Sequence, residues 1–137
     1  MTVTTAEQAL VDAAREARAG AYAPYSGFKV GAALRTSAGE VFTGANVENA
    51  AYPATLCAER VAVGHAVARG ARSFSQIAVI GTGPAICTPC GTCRQVLNEF
   101  APDIEVLAAS ERGEVARFVL RRDLLPEGFG PEALEGR

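Results

Sequence analysis

Four residues carry reactive chemistry in this sequence. Cys57 and Glu59 stand together in Cys57-Ala58-Glu59, and Cys90 and Cys93 in Pro89-Cys90-Gly91-Thr92-Cys93. Both segments fall where the residue pattern predicts the start of a helix. A Cys-x-x-Cys pair at a helix start can place both sulfurs on one metal. The amides and dipole of a helix N-terminus favour negative charge, so thiolates form there readily. Two such helix ends facing each other gather three thiolates, and three protein ligands leave the fourth tetrahedral position of zinc open to water. Glu59, two residues from a candidate ligand, is placed to take a proton from that water and hand it to a substrate nitrogen. Such positioned acid–base groups are worth roughly 10²–10⁴ in rate.

The fourth cysteine leaves a second reading open. Cys87-x-x-Cys90-x-x-Cys93 also has ligand spacing, and four thiolates would make a closed, structural zinc site. The simpler expectation for Cys87 is a small buried apolar thiol. The single His, His65, excludes any mechanism that needs two. It lies six residues beyond Glu59, too far into the helix to join a site at the helix start, so a structural role is expected. A metal site here is therefore all-thiolate.

With 137 residues, the chain fits one domain spanning 1–137, large enough for a true core. Hydrophobic residues make up 49% and charged residues 20%, a globular composition. The net charge of -2 argues against life on a nucleic-acid backbone, and no basic or aromatic track for a strand is evident. Met1 to Leu10 has no basic stretch followed by an apolar run, so no secretory leader is expected. The longest uncharged stretch, Ser73 to Cys93, is interrupted by Gly81, Gly83, Pro84 and Pro89, which makes a poor membrane span. A cytoplasmic protein with reduced thiols is the expectation. Gly81-Thr82-Gly83 lacks the Gly-Lys-Ser/Thr that would make it a phosphate loop.

The elements that must position these residues are legible as patterns. A capping box at Thr5 and Gln8 opens a first helix running to about Gly20. Phe28 to Arg35 reads as a strand, turned by Ser37 to Glu40 into a return strand beginning at Val41. Gly44 to Pro53 reads as irregular. Pro53 and Thr55 signal a helix from Leu56 to about Ala68, closed by Gly70. Ile77 to Ile80 is a short apolar strand. A further helix opens near Cys90 and runs to Phe100, followed by strands at Ile104 to Ala108 and Val115 to Leu120, then a loop or short helical turn over Leu124 to Phe129. Strands alternating with helices imply parallel crossovers, and the hairpin implies an antiparallel pair, so a mixed sheet with helices on its faces is expected.

Cys-x-Glu joined to Pro-Cys-x-x-Cys is the pattern of zinc nucleobase deaminases. The chain resembles the small homotetrameric cytidine deaminases over Tyr25 to Leu34 (YSGFKVGAAL), Gly44 to Arg60 (GANVENAAYPATLCAER), Thr88 to Val96 (TPCGTCRQV) and Leu124 to Phe129 (LLPEGF). The resemblance implies a three-layer αβα sandwich around a five-stranded mixed sheet, and one Zn2+ per subunit held by Cys57, Cys90 and Cys93. It implies hydrolytic release of ammonia from C4 of cytidine and 2′-deoxycytidine, with Glu59 protonating N3. By the same resemblance Asn46 and Glu48 hold the ribose, and Phe28 and Ala58 line the nucleoside pocket. Arg60 hydrogen-bonds ligand thiolates, a role with physical sense, since three thiolates on Zn2+ leave one excess negative charge. Phe129 reaches a neighbouring subunit's site in a homotetramer whose active sites lie at subunit interfaces. Without the resemblance Phe28 is a core aromatic, Asn46 and Glu48 are loop polars, and Phe129 packs either on its own domain or at an interface. Two rivals remain at this point, a deaminase of a cytosine-containing antibiotic such as blasticidin S and a non-catalytic zinc-stabilised module. The Asn46 to Ala50 segment, Arg60 and the Leu-Leu-Pro-x-x-Phe tail favour the nucleoside enzyme.

Overall fold

The computed structural model describes residues 2–135. Its elements, in chain order, are helix α1 (Thr5–Arg18), strands β1 (Gly31–Thr36) and β2 (Val41–Ala45), helix α2 (Ala58–Ala68), strand β3 (Phe74–Ile80), helix α3 (Gly91–Phe100), strands β4 (Glu105–Ala109) and β5 (Val115–Val119), and a short helix α4 (Pro131–Glu135). The five strands form one mixed sheet in the order β2-β1-β3-β4-β5. β3 and β4 pair in parallel and the other neighbours antiparallel. β2 and β3 therefore run parallel on either side of β1, and α2 makes that crossover as α3 makes the one from β3 to β4.

The sheet separates two cores, as the period-two alternation of strand side chains requires. Leu10, Val11 and Ala14 of α1 pack with Ala33, Ala78, Ile80, Leu107 and Ala109 on one face. On the other, Ala62, Val63 and Ala66 of α2 and Leu97 of α3 pack with Leu34, Ile77, Val79 and Val106. This is the expected αβα layering. Residues 77–80 of β3 are apolar on both faces because both are covered. Gly44 fixes how closely α2 approaches the sheet. A Cβ there would lie 2.5 Å from the Ala58 carbonyl oxygen and 2.6 Å from Ala62 N, so the helix that carries Glu59 rests on bare backbone.

Several boundaries differ from the sequence reading. The capping box sits one residue earlier. Thr4 Oγ1 accepts from Glu7 N at 3.1 Å, and Glu7 Oε1 accepts from Thr4 N at 3.0 Å. A carboxylate is a stronger acceptor than an amide, and Gln8 instead donates to Asp12. Gly44 and Ala45 belong to β2 rather than to an irregular segment. Pro53 lies in a separate 3-10 turn, Tyr52–Ala54. Leu56 exchanges two backbone hydrogen bonds of 2.9 Å with Val47, so α2 starts only after it. Phe28 to Val30 fall outside the β1 ladder. β5 ends at Val119, and Leu120–Leu124 coil into a single π-type turn.

Glu7 also ties the outer helix layer to the far strand. Arg117 of β5 donates to it through Nε at 2.8 Å and Nη2 at 2.6 Å, and Glu7 is only 5% exposed. Arg117 first, then the Thr4 N–H, holds the Glu7 carboxyl below its ordinary 4.5. A depressed folded-state pKa stabilises the protein above the unfolded value, and that stabilisation is lost as pH falls through the folded value. Glu7→Gln is thus expected to melt several degrees below the parent at pH 7. The gap in calorimetric Tm should shrink as pH drops below about 4.5. A gap independent of pH would reject the ionised pair.

Candidate active site and metal centre

The N-caps of α2 and α3 are Cys57 and Cys90. Neither side chain caps its own helix, so both sulfurs are free to point elsewhere. They meet, with Cys57 Sγ 3.8 Å from Cys90 Sγ, which is 3.5 Å from Cys93 Sγ. Tetrahedral zinc, with Zn–S near 2.3 Å, separates its sulfurs by about 3.8 Å. The spacing of this cluster therefore fits zinc without rearrangement. Among the described residues it is the group of potential ligands whose donor atoms lie within 4.8 Å of one another, and Cys87 is not part of it. Cys87 Sγ instead packs where a Cβ on Gly81 would come within 3.1 Å of it. Burial first, and then the nearby Glu59 and Cys57 charges, push the Cys87 thiol up to about 11, so it stays a thiol. The closed four-thiolate reading is not what the fold builds.

Charge is arranged around the cluster. The Cys57 thiol is pulled down to about 5 by the hydrogen bond from Cys93 and then, against burial, by Arg60. The same Cys57 contact, together with burial, pushes Cys93 up, so Cys57 ionises before Cys93. Arg60 Nη2 lies 3.6 Å from Cys57 Sγ and donates to the Thr55 carbonyl at 3.0 Å. Its buried Nε has no hydrogen-bond partner among the described residues. Arg60→Gln is expected to weaken zinc retention or turnover by roughly 10–100-fold, the usual cost of removing a partner of a metal ligand. Chelator competition and steady-state rates read this directly, and an unchanged pair of values would remove Arg60 from the site.

Glu59, in the first turn of α2, is 4% exposed. Burial pushes its carboxyl up to about 7, with the Cys57 thiolate adding to the rise and its own backbone N–H and Arg60 opposing it. A carboxyl that titrates near neutrality both takes and gives a proton at physiological pH.

A cavity of about 380 Å3 opens onto these groups, lined by Phe28, Asn46, Glu48, Ala58 and Glu59 together with Cys57 and Cys90. Sequence reasoning had picked all of these. It singled out no role here for Ser26, Val30, Thr55, Leu56 and Thr88, which lie within the family-like segments and also line the cavity, as does Cys87. Asn46 and Glu48 prove to be builders as well as lining. Asn46 accepts from Val30 N and donates to the Phe28 carbonyl, each at 2.8 Å, which among the described residues leaves one N–H and one lone pair unpaired. Glu48 Oε1 accepts from Tyr25 N at 2.9 Å and Ser26 N at 3.1 Å, and Oε2 accepts from the Ser26 hydroxyl. Ser26 first, then these backbone donors, holds the Glu48 carboxyl below its ordinary value. Phe129 lies outside the cavity. Its carbonyl is fixed to α3 by Gln95 and Asn98, while the residue is 60% exposed, so it does not pack on its own domain. His65 stacks edge-on against Phe42 at 5.0 Å, in the structural role expected of it.

The model of the cytidine and deoxycytidylate deaminase zinc-binding region matches residues 4–109. The chain belongs to this family. A cytidine deaminase of Halalkalibacterium halodurans is 44% identical over 126 residues, covering 91% of this chain and 95% of the relative. A cytidine deaminase crystal structure from Burkholderia pseudomallei is 48% identical, with a TM-score of 0.86 over 93% of this chain and all of that one. A cytidine deaminase structure from Mycobacterium tuberculosis is 40% identical, with a TM-score of 0.78 over 90% of this chain and 96% of that one. Membership makes the chain an enzyme, and the three-sulfur cluster suits the zinc that the family binds.

Proposed function

We propose that this deaminase converts cytidine and 2′-deoxycytidine to uridine and 2′-deoxyuridine with release of ammonia, in pyrimidine salvage. The reading is carried by one juxtaposition. A buried carboxyl tuned to near neutrality stands beside an open three-thiolate cluster, at a cavity large enough for a nucleoside base. Zinc held by Cys57, Cys90 and Cys93 supplies a Lewis acid that lowers the pKa of water from about 15.7 to roughly 7. Glu59 takes a first proton from the attacking water at its carboxylate oxygen and gives it to N3 of the base, so that hydroxide adds at an electrophilic C4; it then takes the proton of the new C4 hydroxyl and gives it to the departing amine, which leaves as ammonia. Its burial keeps bulk water from short-circuiting that transfer. Phe28 and Ala58 supply the apolar wall, and the free valences of Asn46, with Glu48, take the ribose hydroxyls.

Exposed apolar surface supports an oligomer. Tyr22, Tyr25, Phe28, Tyr52, Leu56 and Phe129 are all exposed, and Tyr25 and Tyr52 line a second hollow that shares Ser26, Glu48 and Thr55 with the main cavity. In the homotetramer, neighbouring subunits cover this surface and Phe129 closes a neighbour's site. A reducing cytoplasm suits the free thiols, and the chain acts as one domain over 1–137. Zinc-loaded protein should release ammonia from cytidine, with loss of cytosine absorbance, faster than from blasticidin S. No turnover of the nucleosides would reject the reading, and a monomer by light scattering would reject the tetramer.

A further inference from the structure

Phe28, Lys29 and Val30 precede β1, and Phe28 and Val30 form one wall of the cavity. One backbone bond reaches them, from Asn46 N to the Val30 carbonyl at 3.2 Å, and side chains hold the rest of the segment in the ladder's place. On the β2 side, Asn46 pairs with the Phe28 carbonyl and Val30 N. On the β3 side, Thr82 Oγ1 accepts from Lys29 N and donates to the Lys29 carbonyl, both at 3.0 Å. Asn46 follows the last residue of β2, and Thr82 stands two residues beyond the end of β3. Each therefore extends one neighbour of β1 by a side chain, and alternate residues of the segment bond to opposite sides, as in a strand.

Gly81 completes the device. A Cβ there would lie 2.7 Å from Phe28 Cζ and 3.1 Å from both Phe28 Cε1 and Cys87 Sγ, so the ring is seated against glycine backbone. The Gly81 carbonyl accepts from Arg18 Nη1 at 2.5 Å, and Arg18 is paired with Glu111 at 2.9 Å, which anchors the seat from the α1 layer. Neither Gly81 nor Thr82 lines the cavity.

We propose that Thr82, with Gly81, is a positioning residue for substrate affinity: its hydroxyl holds Lys29, and thereby sets the Phe28 ring against the nucleoside. This rests on the reading of Phe28 as a cavity wall for substrate. The zinc ligands and Glu59 stand on other segments, so the effect falls on binding rather than on the chemical step.

The test is steady-state kinetics with cytidine on the zinc-loaded enzyme. Thr82→Val, which keeps shape and removes the hydroxyl, should raise KM about 5- to 20-fold with kcat within about twofold and zinc content unchanged. Thr82→Ser should restore KM. Gly81→Ala reaches the same ring by steric displacement and should raise KM as well, so the proposal stays testable if Thr82→Val folds poorly. A parental KM in Thr82→Val, or a fall in kcat matching the rise in KM that Thr82→Ser does not rescue, overturns the proposal. Phe28→Ala separates the two layers. If it raises KM while Thr82→Val and Gly81→Ala do not, only the positioning role fails. If Phe28→Ala leaves KM unchanged, the assignment of Phe28 fails and the proposal fails with it.

Discussion

Glu59→Gln is expected to yield a folded, zinc-loaded protein whose kcat for cytidine falls by about 10²–10⁴-fold. The amide keeps the shape of the carboxyl but neither accepts nor releases a proton, whereas the carboxyl, whose pKa burial raises, can do both. Zinc content should hold, since the three sulfurs on α2 and α3 are untouched. The thermal midpoint should stay level or rise. At 4% exposure the ionised carboxylate is costly to bury, and a neutral isostere removes that cost. Loss of activity without loss of stability or metal is the signature of a group kept for chemistry at the expense of the fold. Parental kcat in a zinc-replete Glu59→Gln enzyme would reject the proton-transfer role. Loss of zinc would show that Glu59 supports the metal site instead.

The parts of the site that the sequence made legible are those in which one residue type does one thing. Cys57, Cys90, Cys93 and Glu59 announce themselves because thiolates and a carboxylate at helix starts have few other uses, and the structure brings all four to the N-termini of α2 and α3. The layering was legible too, because Leu10, Val11 and Ala14 repeat at helical spacing and Ile77 to Ile80 is apolar throughout. What stayed hidden depends on partners distant in the chain. Phe28 reads as part of a strand, yet its backbone is held by Asn46 and its neighbour Lys29 by Thr82. No periodicity signals a side chain standing in for a ladder. The start of α2 was misplaced for a similar reason. Pro53 and Thr55 are good helix starters, but the long-range pairing of Leu56 with Val47 outweighs that local preference. Gly44 opens a family-like segment, but the reason for a glycine there is the close approach of Ala58 and Ala62. Local signals thus place the reactive atoms, and non-local contacts build the cavity around them.

The metal gives the other large effect. Cys93→Ser is expected to lose stoichiometric zinc and nearly all activity, whereas Cys87→Ser keeps both. Cys93 is fully buried between the other two ligands and the core, so the replacement leaves a hydroxyl that is a poor zinc donor where a thiolate closed the cluster. Cys87 packs beside Gly81 and Phe28 and lines the cavity outside the cluster, so its serine variant leaves the metal ligands intact. Stripping zinc from the parent should act as Cys93→Ser does and also lower Tm, because a ligand bound only by the native state stabilises by about 2.7 kcal/mol when present at 100 times its Kd. The stripped protein holds two helix N-termini against sulfurs that no longer share a cation, and Arg60 alone then offsets the Cys57 thiolate. Zinc added back should restore both midpoint and turnover in the parent and in Cys87→Ser, but not in Cys93→Ser. X-ray absorption on the loaded parent should count three sulfurs and one lighter atom. Four sulfurs, with Cys87→Ser losing its zinc, would mean that the cluster closes on Cys87 and leaves no open position, and the deaminase mechanism would fall with it.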